Sequence, residues 1–145
     1  MRISTKGRYS LRFILDLALQ PKDKPVILKD VSKRQSISLK YLEQIVPALT
    51  GAGYVRSVRG PKGGYYLNRD PQEITVGMIL RTTEGSLAPV DCVDPNLEGV
   101  GTDNENESTL YVWKELYDAI CGVVDHITLQ DLIDRERTAQ GEYYI

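Results

Sequence analysis

Ser36-Ile37-Ser38-Leu39-Lys40-Tyr41-Leu42-Glu43-Gln44-Ile45-Val46-Pro47-Ala48-Leu49 decides the reading of this chain. Ser36 to Ser38 form a tight turn that ends on a helix-capping serine, whose hydroxyl can accept from the free N–H groups of a first turn. From Leu39 onward, Leu39, Leu42, Ile45, Val46 and Leu49 recur at helical spacing and predict one buried face. The opposite face carries Lys40, Glu43, Gln44 and Pro47, with Tyr41 on the border. Pro47 lacks a backbone donor and is expected to kink the helix or shift its hydrogen bonding. Gly51 and Gly53 end it.

Working outward, a short helix is predicted over Leu28 to Gln35, with Ile27, Leu28 and Val31 inward. Before it, Leu11, Ile14, Leu15, Ala18 and Leu19 mark a helix from about Thr5 to Gln20, and Gln20 to Pro25 is a turn. After the central helix, Tyr54 to Val58 and Tyr65 to Leu67 are rich in strand formers. They flank Arg59-Gly60-Pro61-Lys62-Gly63-Gly64, a hairpin-closing stretch. A further helix near Val76 to Glu84 buries Val76, Ile79 and Leu80. Helix, helix, turn, helix and hairpin is the order of a winged helix-turn-helix, a mainly α fold with a small β-hairpin wing.

The remainder differs in kind. Gly85 to Glu107 is a 23-residue stretch without periodicity, holding Pro89, Pro95, Gly99, Gly101 and six acidic residues. A loop of that length is functional or disordered. Leu110, Trp113, Leu116, Tyr117, Ile120, Val124 and Ile127 then form an apolar stripe on a helix of about 18 residues. Thr128 to Leu132 opens a last short helix, and Tyr143-Tyr144-Ile145 closes the chain. The expected division is 1–84 as a DNA-binding unit (helix-turn-helix about 28–51, wing about 54–67), 85–107 as an acidic loop, and 108–145 as a dimerisation helix and tail.

Charge follows the same division. Residues 1–69 hold 14 Lys and Arg against 4 Asp and Glu, a net +10, whereas 70–145 carry −12. The near-neutral total conceals a basic module suited to a polyanion. No apolar run approaches the roughly 18 residues of a membrane span, and the start has no signal-peptide pattern. With two cysteines and no secretion signal, reduced thiols in a cytoplasm are expected. A single histidine with no nucleophile beside it gives a hydrolytic triad little support, so no enzyme is expected.

Lys6 and Arg8 lie in the first turn of the first helix beside Ser4 and Thr5, and Lys40 opens the third. Cations at helix N-termini are unfavourable, and a bound phosphate would relieve them; a solvated basic face is the alternative. Lys40 and Gln44, one turn apart, can reach into a major groove, where Gln pairs with adenine and Lys with guanine. Glu43 can accept from cytosine or simply pair with Lys40. Tyr41 is read as packing or bonding a phosphate rather than reading a base, and Tyr9 is read as a further DNA contact. Arg56, Arg59, Lys62 and Arg69 surround Gly60, Gly63 and Gly64, whose backbone permits close approach to a phosphate or narrow minor groove. The alternative is a plain turn needing positive φ.

Three of these stretches, Met1 to Tyr9, Ser38 to Ile45 and Val58 to Tyr65, resemble the Rrf2 family of bacterial transcription regulators, and Thr128 to Leu132 is also similar. The resemblance covers most of the chain outside the acidic loop. It implies a homodimer on a palindromic operator, with the long helices packed across the two-fold through Leu110, Trp113, Leu116, Tyr117, Ile120 and Val124. It also implies that Ser38, Glu43, Gln44, Arg59 and Gly60 meet duplex DNA. Many members hold an iron–sulfur cluster through three cysteines in the loop, of which this chain keeps only Cys92. A cluster needs several thiolates, so no cofactor is expected. Cys121, on the apolar stripe, is read as packing, while Cys92 could be a redox-sensing thiol, although Asp91 and Asp94 oppose its ionisation.

Within the family the chain looks nearest to the cluster-free repressors of cysteine metabolism, which act with cysteine synthase (O-acetylserine sulfhydrylase). A terminal Ile145 after Tyr144 suits end-on capture of its carboxylate by such a partner, and a frayed tail is the alternative. Asp94, Asn96, Glu98, Gly99 and Glu105 match a calcium-loop spacing imperfectly, and no metal is expected there. An iron–sulfur or thiol-sensing regulator and a protein-interaction adaptor stay open as other readings.

Overall fold

Phe13 and Ile14 are fully buried at the middle of the first helix, and the other elements assemble around them. The computed structural model describes residues 2–97 and 106–141. Its helices are α1 (Thr5–Leu19), α2 (Leu28–Gln35), α3 (Leu39–Gly51), α4 (Val76–Glu84), α5 (Glu107–Val124) and α6 (Leu129–Ala139). Strands β1 (Val55–Val58) and β2 (Gly64–Leu67) form an antiparallel hairpin that pairs Val55 with Leu67 and Val58 with Gly64. The fold is therefore mainly helical with a two-stranded wing.

The first helix buries more than the predicted stripe. Phe13, Ile14 and Leu17 reach the core together with Gly7, Ser10 and Asp16, whereas Leu11, Leu15, Ala18 and Leu19 are half-buried. The reason is position: α2, α3, α4, α6 and β2 all pack against α1, so it has little solvent face. Asp16 is tolerated inside because Arg34 Nε and Nη2 donate to its two oxygens at 3.0 and 2.8 Å, and Gln35 Nε2 adds a third bond at 3.0 Å. Arg12 in turn bonds the Gln35 side chain and carbonyl. This network locks α2 onto α1. Removing Arg34 would leave the buried carboxylate without a counter-charge and with Gln35 as its remaining side-chain donor, at a cost of about 3 kcal/mol.

In α3, Leu42, Ile45, Val46 and Leu49 are buried as their spacing predicts. Leu39 is not: as the first helical residue it lies at the rim of the core and is 40% exposed. Ile27 likewise points outward, 52% exposed, because it is the cap residue preceding α2. The helix continues through Pro47, which is exposed.

Leu129 and Ile133 of α6 belong to the same core as Phe13. Backbone bonds from Val76 N to Ile127 O (2.9 Å) and Leu129 N to Ile74 O (2.8 Å) tie the start of α6 to the start of α4. Residues 128–139 thus share the core of the N-terminal half. A second, smaller cluster joins Val76, Leu80 and Leu87 to half-buried Ile120, Val124 and Ile127. No residue of α5 is buried, so this helix stands largely off the body.

Candidate nucleic-acid interface

The turn before α3 does what its serine suggests: Ser38 Oγ accepts from Tyr41 N at 3.1 Å and caps the helix. With one face fixed by Leu42, Ile45 and Leu49, the other is left outward. Lys40, Glu43 and Gln44 are exposed, and among the described residues Lys40 and Glu43 form no ion pair with each other or any neighbour.

Tyr9 packs edge-on to Tyr41 with ring centroids 5.3 Å apart, and the Arg12 guanidinium lies 5.2 Å from its ring. Both tyrosines are half-buried by this pairing, which sets the first half of α1 beside the start of α3. Thr5, Lys6 and Arg8 remain exposed on that part of α1. The helix start itself is not waiting for an anion. Ser4 is its cap, accepting from Gly7 N at 3.1 Å, while the Ser4 N–H donates to Glu84 Oε1 at 3.0 Å and its hydroxyl donates to the same oxygen. The last residue of α4 thereby supplies the negative charge that the sequence lacks locally. A Cβ on Gly7 would overlap that Glu84 oxygen, which explains a glycine inside a helix.

The hairpin tip carries Arg59, Gly60, Pro61 and Lys62, all exposed. Gly60 has φ of 105° with open space around it, so a turn conformation requires it. Gly63 and Gly64 have a different cause. A Cβ on Gly63 would overlap the Val58 carbonyl, and one on Gly64 would meet the Val26 carbonyl where the α1–α2 turn pairs with β2. The fold's own packing accounts for both. Arg56 and Arg69 are not at the tip: Arg56 lies on β1 opposite Tyr66, its guanidinium 4.2 Å from that ring, and Arg69 follows β2 with its guanidinium 5.3 Å from the Tyr54 ring.

On α5 the stripe divides between two surfaces. Ile120 and Val124 pack against Val76, Leu80 and Leu87 of the same chain, and Leu110, Trp113 and Tyr117 are half-buried. Tyr111 is 64% exposed, and Val112, Leu116, Ala119 and Val123 also face outward, these four spaced four, three and four, with Val112 49% and Val123 57% exposed. That is the spacing of a seam between paired helices.

Cys121 has a more polar setting than packing alone requires. Arg81 Nη2 donates to its Sγ at 3.5 Å and to Asp125 Oδ2 at 2.9 Å, while Arg81 Nη1 reaches Asp125 Oδ1. The guanidinium holds Asp125 below the usual carboxylate range, and the shared hydrogen bond raises Arg81. Burial, reinforced by a bond to Cys121, pushes the Tyr117 hydroxyl up. Cys92 is half-buried in a single 3₁₀ turn, Asp91–Val93. Asp94 beside it is buried and held low by hydrogen bonds from Ser86 and from Asn96 N at 2.8 Å. Glu98, Gly99 and Glu105 of the calcium-like spacing, and Tyr144 and Ile145, lie outside the described residues. Two cysteines cannot supply three thiolates, so the donor set of this chain does not fit a cluster held by three cysteines. No group of three or more metal-ligating side chains occurs among the described residues. No described helix is long and apolar enough to cross a membrane.

Comparison with known proteins agrees with this architecture. Over 137 residues the chain is 42% identical to the HTH-type transcriptional regulator IscR of Serratia proteamaculans, spanning 94% of this chain and 81% of that one. It is 39% identical over 143 residues to the HTH-type transcriptional regulator CymR of Bacillus subtilis, spanning 99% and 97%. The solved structure of CymR, described as the global cysteine regulator of B. subtilis, matches with a TM-score of 0.81 at 37% identity, covering 93% of this chain and 98% of that one. IscR of T. potens matches at 0.78 and 38% identity, covering 97% and 91%. These relatives are transcriptional regulators, not enzymes. Residues 3–135 match the family model Rrf2, described as an iron-dependent transcriptional regulator, and the chain belongs to the Rrf2 family.

Proposed function

We propose that two copies of this chain bind a palindromic duplex operator in the cytoplasm and repress transcription, with genes of cysteine metabolism as the target. One observation carries the DNA reading: α3 is anchored along one face by four buried side chains and capped by Ser38, while Lys40, Glu43 and Gln44 stand outward. Lys6, Arg8, Lys40 and Lys62 contribute affinity through phosphates; Gln44, Arg59 and Gly60 contribute selectivity through base edges and groove shape. The α5 seam of Val112, Leu116, Ala119 and Val123 joins the two copies. The cysteine reading is supported by the likeness to CymR over nearly the whole of both chains, and by a cysteine count unsuited to a three-cysteine cluster. It brings with it a partner, cysteine synthase, docked through Tyr144 and Ile145.

The test is genomic selection of bound fragments followed by anisotropy titration at several salt concentrations. Lys62→Ala should weaken binding to all sequences and reduce the salt slope by about one. Arg59→Ala should weaken binding and also change site preference. Identical behaviour of both variants and the parent chain would remove the wing from the interface. For the partner, cysteine synthase should be retained by the full chain and lost on truncation before Tyr144; equal retention rejects the docking.

A further inference from the structure

Arg56 and Arg69, displaced from the hairpin tip, lie in a cleft with two lysines. This cleft, of about 320 Å³, lies between the end of α1 with the α1–α2 turn on one side and the β1–β2 hairpin with the chain after it on the other. Lys22 and Lys24 line the first wall, Arg56 and Arg69 the second. Among the described residues, none of the four forms an ion pair. Asp70 is the one carboxylate in the lining, and its Oδ1 already accepts from Gln72 N at 2.8 Å. The C-terminal end of α1 adds about half a negative charge, so the lining retains roughly +2.5. Such a concentration of like charge in a concavity is costly without a counter-ion.

We propose that this cleft binds a small, multiply charged anion carrying phosphate or carboxylate oxygens. Its walls are held together before any ligand arrives. Val26 and Tyr65 exchange two backbone hydrogen bonds, each 2.8 Å, joining the turn to β2. The Arg56 guanidinium is restrained over Tyr66, which keeps its donors available and reduces the entropy lost on binding. The volume is at the small end for ligand pockets and too small to admit a duplex. The cleft also lies at the opposite end of α1 from Lys6 and Arg8; fifteen helical residues separate the two ends by roughly 22 Å.

The experiment uses the full chain without DNA, titrated by calorimetry with pyrophosphate and, separately, citrate at constant ionic strength, with thermal melts in parallel. Saturable binding with a rise in Tm is expected for at least one probe, and the tighter one tells phosphoryl from carboxylate chemistry. Lys24→Gln and Arg69→Gln should each weaken binding at least tenfold, while melting without anion no lower than the parent chain does, because each removes part of the repulsion in the cleft. Their affinity for duplex should be unchanged. No saturable binding by either probe overturns the proposal, as does parent-like binding by both variants. A loss of duplex affinity in Lys24→Gln or Arg69→Gln also overturns it, because the cleft would then extend the DNA surface. Since the anion is measured alone, failure of the operator reading leaves this result independent.

Discussion

Glu84 shows how one side chain can serve stability and, on the proposed reading, oppose duplex binding. Its carboxylate accepts from the Ser4 N–H and hydroxyl at the positive end of α1, next to Lys6 and Arg8. A charge so placed stabilises a helix by up to about 1 kcal/mol, yet it repels a phosphate approaching the same turn. Glu84→Gln is therefore expected to lower Tm by about 2–4 °C while tightening duplex binding, read by melting and anisotropy on one preparation. A fall in both sinks this assignment. Asp125 offers a second residue-scale test. Arg81 depresses its pKa in the folded state, so the pair contributes stability above the unfolded value of about 3.9 and loses it as pH falls through the lower folded value. Urea midpoints should be flat above about pH 5 on this account and decline below pH 4, and Asp125→Asn should reduce that decline. Gly77 belongs to the same unit, since a Cβ there would overlap the Asp125 and Arg81 side chains.

At the level of elements, Ser38 caps α3 and, on the proposed reading, also neighbours the duplex, and the two roles can be separated. Ser38→Ala removes the cap and should cost about 1 kcal/mol. Ser38→Asp keeps an acceptor for Tyr41 N but sets a negative charge beside Lys40. Its expected outcome is near-parent stability in urea with duplex binding weakened several-fold; unchanged binding would remove the start of α3 from the interface. The hairpin makes a related point. Its tip residues Arg59 to Lys62 are exposed, whereas Gly63 and Gly64 are dictated by the Val58 and Val26 carbonyls. A glycine-rich turn therefore mixes residues available to a ligand with residues that merely let strands meet.

For the whole molecule, the decisive feature is that α5 lies mostly outside the core while α6 returns to it. The helix presents Val112, Leu116, Ala119 and Val123 to solvent, a face that a second copy would cover. Leu116→Glu should yield monomers in sedimentation equilibrium and weaken operator binding more than tenfold, because two half-sites would no longer be gripped by one ligand. A dimer persisting with this substitution would place the seam elsewhere.

The sequence by itself determined the order of elements, the capped third helix and the wing, because helical spacing, cap residues and turn residues act over a few neighbours. Val31, Leu42, Ile45, Leu49, Ile79 and Leu80 were legible as core for the same reason. Tertiary structure alone decided which residues meet across long separations. Phe13 and Leu17 entered the core because five elements surround α1; Glu84 reached Ser4; Arg34 reached Asp16; Lys24 came to share a cleft with Arg69. Periodicity reports one face of one element, whereas these contacts join residues 18 to 80 positions apart, and only packing sets their distance.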